Sequence, residues 1–142
     1  MPVQEVLLPL FVEVLLTFGL WMWMAGLRTR DLGSGGVAPA SIALREPNWS
    51  KRTLQVAYSF SNQFELPVLF YVLTILAYVT HWAGYVFLIL AWIFVIFRIL
   101  HAVVHTTSNV VRVRGSLYGV AAFALFLNWL IYIVEILTSP WV

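Results

Sequence analysis

The chain has 142 residues, of which 62% are hydrophobic and only 10% charged, and its mean hydropathy is +0.91. One water-soluble core cannot hide that much apolar surface, so lipid has to cover the excess. Eight basic residues among seven Trp and ten Phe make no case for a nucleic-acid partner, and the lack of cysteine excludes disulfides, thiolate metal ligands and a cysteine nucleophile.

The opening residues carry no basic region and no small-residue cleavage site around their apolar run, so that run is expected to remain as a span. It extends from about Val6 to Leu27, roughly 22 residues or about 33 Å of helix. Trp21 and Trp23 suit an interfacial belt at its end. Arg28 to Thr53 reads as a polar loop, with Gly33, Gly35, Gly36, Pro39 and Pro47 among its basic residues. Asn48 or Ser50 is the expected N-cap of the next helix.

The second span enters near Leu54 and reaches about Val79, interrupted by Asn62, Gln63, Glu65 and Pro67. The turn from Thr80 to Gly84 is too short for anything but an antiparallel hairpin. A third span follows from about Tyr85 to Val104, then a polar stretch with His105, Asn109, Arg112 and Arg114, and a fourth span from about Leu117 to Leu137. The expected fold is an all-α integral membrane protein, one four-helix transmembrane domain over residues 1–142. A β-barrel would need many short alternating strands instead of continuous runs.

Lys and Arg outside the spans number five in the first loop and two in the third, with none in the second loop or at either terminus. By the positive-inside rule, loops one and three are expected in the cytoplasm and both termini outside, in the inner membrane if the source is bacterial.

Charged groups at membrane depth cost about 2.5 to 3.5 kcal/mol each at the bilayer centre, so Glu65 and Arg98 call for an explanation. In a hairpin turning at His81 and Trp82, Glu65 lies level with Arg98, Asn62 with His101, and Tyr58 with His105. Tyr58, Asn62 and Glu65 fall on one helical face, as do Arg98, His101, His105 and Arg112. Two polar stripes at one depth predict a Glu65–Arg98 pairing and a recess for an anion near the basic loops. The plainer alternative is an ion pair that fixes helix packing.

Glu13, mid-span in the first helix, could line the recess or a proton path, or could be structural. Glu135 reads as a snorkelling surface residue and His81 as a solvated turn residue. Pro9 and Pro67 are expected to kink their spans. No phosphate loop, dinucleotide fingerprint, zinc spacing or serine triad is present.

The residues resemble a known family, the membrane-associated proteins in eicosanoid and glutathione metabolism, or MAPEG family. Asn62-Gln63-Phe64-Glu65-Leu66-Pro67 looks like its second-helix element, and Arg98-Ile99-Leu100-His101 like its Arg-x-x-His motif. Arg114 and Tyr118 occupy the positions of a further Arg and Tyr in the prostaglandin E synthase branch. Arg28 sits where a glutathione-contacting Arg commonly lies. The chain departs from the eicosanoid branch at Ser61, where a basic residue precedes the Asn, at Gln63, where an acidic one follows it, and at His105, which replaces a Tyr.

The resemblance implies a homotrimer of four-helix subunits that binds glutathione between neighbours. Asn62, Glu65, Arg98, His101 and Arg28 would bind it, and Arg114 with His105 or Tyr118 would stabilise its thiolate. The implied function is a glutathione-dependent transferase or peroxidase acting on lipophilic small molecules that partition into membrane lipid. Two alternatives stand beside it: a non-catalytic assembly or lipid-binding subunit, suggested by the departures at Ser61 and His105, and a small proton-coupled multidrug exporter using Glu13.

Overall fold

The computed structural model describes residues 1–140 and is helical wherever it is regular. Its α-helices are α1 (Val3–Gly33), α2 (Lys51–Ser61), α3 (Leu66–Val79), α4 (Tyr85–Thr106) and α5 (Val111–Thr138), with short 3-10 turns at Pro39–Ile42 and Asn62–Phe64. Because α2 and α3 together make one rod, four rods are long and apolar enough to cross a bilayer. The expected all-α, four-span architecture is therefore what the chain adopts, and the protein is an integral multi-pass membrane protein.

Each rod buries one stripe and leaves the rest apolar. Phe11, Leu15 and Phe18 on α1 and Phe123 and Phe126 on α5 are all at least half exposed in the single chain, as lipid-facing or subunit-facing surfaces should be. The buried core joins Val6 of α1 to Phe70, Leu73 and Ala77 of α3, Ala91, Phe94 and Val95 of α4, and Ala121 and Leu125 of α5. At its centre Phe70 stacks on Phe94 with ring centroids 4.7 Å apart, a separation typical of favourable aromatic pairs. Alanines at 77, 91 and 121 let the helices approach closely there.

Local chemistry explains the ends of the rods. Nothing stops α1 at Leu27, since Arg28, Thr29 and Arg30 tolerate helix, and it continues to Gly33. That extension brings Asp31 to α2, where its Oδ2 accepts from Ser50 N (3.1 Å) and Thr53 Oγ1 (2.7 Å). Ser50 is the N-cap of α2, its side chain accepting from Thr53 N. Asn48, the other N-cap candidate, instead donates to Ser41 O (2.7 Å).

The hairpin after α3 closes with His81 in the left-handed region (φ 60°). His81 N donates to Tyr78 O and Trp82 N to Ala77 O, the paired bonds that satisfy the last carbonyls of a helix.

The second rod is broken where its polar residues cluster. Pro67 has no N–H to give Gln63 O and its ring would strike that carbonyl, so the α-helix is disfavoured there. The chain answers with the 3-10 turn at Asn62–Phe64 and an irregular residue at Glu65 (φ −96°, ψ −108°) before α3 begins with Pro67 in its first turn.

Candidate functional site

Arg98 is the one cation in the middle of a span, and it is completely buried, with 0% of its surface exposed. Its carboxylate partner is Glu13 of α1, also 0% exposed, with Glu13 Oε1 3.8 Å from Arg98 Nε. Gln63, on the broken turn, completes the group. With its amide oriented as these partners require, its nitrogen donates to Glu13 Oε1 (2.8 Å) and its oxygen accepts from Arg98 Nη2 (3.0 Å). Arg98 Nη2 also donates to Asn62 O (3.2 Å), taking up a carbonyl at the end of α2. Three rods are thus tied at one point by a charged triad sealed from lipid and water.

The expected Glu65–Arg98 pair is not formed. Glu65 is exposed, and its Oε2 accepts from Asn62 Nδ2 (3.1 Å) and from Tyr118 OH (3.4 Å). Tyr118 stands between the two groups, with the Arg98 guanidinium 5.8 Å from its ring centroid on one side and its hydroxyl on Glu65 at the other. The depth relation of the hairpin holds approximately, since Gln55 Nε2 donates to His105 O (2.8 Å) and Arg52 donates to Thr106 O. The azimuth does not, because the 3-10 turn and Glu65's irregular backbone shift the helical phase just where the carboxylate leaves the chain.

The remaining predicted residues fall into two neighbourhoods. His101 is buried, and since a carbonyl can only accept, its Nδ1 donates to Arg114 O (3.1 Å). Its ring lies 5.6 Å from that of Tyr118 and 5.5 Å from that of His105. Arg114 turns its guanidinium to Asn109 Oδ1 (2.5 Å), at the loop between α4 and α5. Arg28 is apart from this cluster, its guanidinium 5.0 Å over the Trp49 ring, in a cleft of about 440 Å³ that also reaches Arg45, Tyr58 and Ser61.

Asn62, Glu65, Arg98, His101, Tyr118 and the Arg114 backbone are therefore contiguous, with Arg98 as their inner wall; the Arg114 side chain and His105 border the group without bonding to Glu65 or Tyr118, and Arg28 lies apart from it. Asn62 Oδ1, Arg98 Nη1, His101 Nε2 and His105 Nδ1 are buried without a hydrogen-bond partner, which is costly unless another group reaches them.

The MAPEG family model matches residues 6–134. The chain belongs to the MAPEG family. No curated protein and no solved structure matches it. MAPEG membership carries with it a glutathione-related role in general terms, the family's members using glutathione as substrate or cofactor.

Sequence reasoning missed Gln63 as a working residue and left the partner of Glu13 unassigned. A signal was present in the charge balance. Glu13 lies mid-span within an uninterrupted helix, where an unpaired carboxylate is least tolerable, whereas Glu65 lies two residues before Pro67, at a break where Asn62 can donate to it. With one interior cation to share, the deeper acid had the stronger need of it. That same pairing occupies the carboxylate an exporter would need facing a translocation path.

Proposed function

We propose that this MAPEG protein is a glutathione-dependent transferase or peroxidase acting on lipophilic electrophiles, its site completed between neighbours in a homotrimer and its basic loops in the cytoplasm. The observation that carries the reading is the convergence of Asn62 Nδ2 and Tyr118 OH on an exposed Glu65 carboxylate. Polar groups so arranged suit a zwitterionic peptide. Glu65 would accept from its amine, the free Asn62 Oδ1 from its amide N–H, and Arg28 and Arg114 would hold its carboxylates.

The second rod supports the assembly. Val68, Val72, Ile75 and Val79 recur in steps of four and three along α3 and are all exposed in the single chain, as are Ser61 and Glu65 at the break before it. In parallel coiled coils Ile at both core positions shifts the preference from two strands to three or four, and this seam is likewise β-branched throughout. Three copies packed along this seam would put each Glu65 beside a neighbouring subunit.

A free thiol with pKa near 8.5 is only a few per cent ionised at neutral pH. Lowering that value by two units takes about 2.7 kcal/mol of preferential thiolate stabilisation. The Tyr118 hydroxyl, by giving up Glu65 and donating to sulfur, and the Arg114 guanidinium would supply it in a site partly closed to water. Purified trimer titrated with glutathione, with thiolate absorbance followed across pH, tests this. Saturable binding with a depressed thiol pKa, lost in Arg114→Ala, is expected. No binding at millimolar glutathione would overturn it.

A second reading, a non-catalytic assembly subunit on the same scaffold, rests on the complete burial of Arg98 against Glu13 and Gln63, which makes that residue a helix tie instead of a ligand contact. Glutathione conjugation with a panel of lipophilic electrophiles separates the two.

A further inference from the structure

At the end of the bundle opposite the basic loops, a cavity of about 340 Å³ opens between the hairpin turn, the start of α4 and the last turns of α5. Its walls include Trp82, Tyr85, Phe87, Asn128, Tyr132 and Glu135. They are held in place: Asn128 Nδ2 donates to Phe87 O (3.3 Å), the Tyr132 hydroxyl lies 3.4 Å from Thr80 Oγ1, and Trp129 packs edge-on against the Tyr132 ring.

Trp and Tyr are ordinary at a membrane interface; a carboxylate set among them in a concavity is not. Among the described residues, Glu135 has no ion-pair partner. Every Lys and Arg lies toward the other end or, as Arg98, is buried with Glu13, so only His81 and the N-terminal amine could offset Glu135 and Glu5 here. The negative end of the α5 dipole, beside Glu135, opposes the positive end of α4 at Tyr85. An electronegative cavity with aromatic walls suits a soft organic cation better than a strongly hydrated metal ion, because ring faces attract cations without supplying oxygen ligands.

We infer that this cavity binds an organic ammonium group, from a lipid headgroup or a free amine, with Trp82, Tyr85 and Tyr132 around the cation and Glu135 as its counter-charge. This stands whether or not the protein uses glutathione.

The test is calorimetric titration of the intact protein, in nanodiscs containing only phosphatidylglycerol, with tetramethylammonium chloride against sodium chloride of equal ionic strength. Saturable binding of tetramethylammonium alone is expected, about tenfold weaker in Glu135→Gln and weaker in Tyr85→Leu. Tyr85 is 80% exposed, so its replacement leaves the fold intact. Native mass spectrometry in mixed-lipid nanodiscs then distinguishes the sources. Retained phosphatidylethanolamine or phosphatidylcholine, displaced by tetramethylammonium, identifies a headgroup, whereas binding of the free cation without selective lipid retention identifies a soluble amine. Absence of saturable binding, or binding indifferent to both substitutions, overturns the inference.

Discussion

A guanidinium in the apolar interior needs a carboxylate more than an exposed carboxylate needs a guanidinium, and this asymmetry decides which acid Arg98 takes. Removing one partner of a buried ion pair strands the other, at a cost of about 3 to 5 kcal/mol. Glu13→Gln should therefore lower the unfolding midpoint in detergent sharply, and combining it with Arg98→Met should recover much of the loss. Glu65→Gln, at an exposed position, should change stability by under about 1 kcal/mol while weakening glutathione binding. If Glu65→Gln proved as destabilising as Glu13→Gln, the buried triad would not be the tie described. Tyr118→Phe removes a donor to a charged group, worth about 1.5 to 3 kcal/mol. The thiol pKa of bound glutathione should accordingly rise by about one to two units, read from thiolate absorbance against pH.

At the level of elements, the decisive feature is the break in the second rod. Pro67 cannot donate to Gln63 O, and Arg98 takes up the Asn62 carbonyl near the break. Pro67→Ala restores a donor to Gln63 O, so amide exchange across residues 62–66 should slow as the helix heals, and Asn62 and Glu65 should lose their shared orientation toward Tyr118. Unchanged exchange would mean that the buried triad, not the proline, enforces the break. At the start of the same rod, Ser50→Ala removes the N-cap of α2 and should cost about 1 kcal/mol, measurable in the same unfolding assay.

For the whole molecule, the exposed apolar faces have to meet lipid, and in the proposed homotrimer one of them would meet other copies. The chain has no cysteine, so single-cysteine variants report contacts without background. Val72→Cys, on the proposed central seam, should give disulfide-linked dimers under mild oxidation in membranes, whereas Phe123→Cys on α5 should not. The reverse pattern would move the subunit interface to another face.

Composition and apolar run length alone determined that this protein has four spans, because a bilayer fixes the length a helix must have and continuous apolar runs do not suit the alternating strands of a barrel. Proline at 67 marked the break, and Ser50 was legible as one of two caps for α2, since both effects act within a few residues. Spacing along the hairpin also gave depth, which put Asn62 and His101 in one region with Arg98, whereas Tyr118, on another span, entered only through the family resemblance. What only the tertiary structure decided was direction around each helix axis and the choice of partner among rods. Helical phase is lost across Asn62–Glu65, turning that carboxylate outward, and the packing of α1 against α4 delivered Glu13 to Arg98 from far away in the chain.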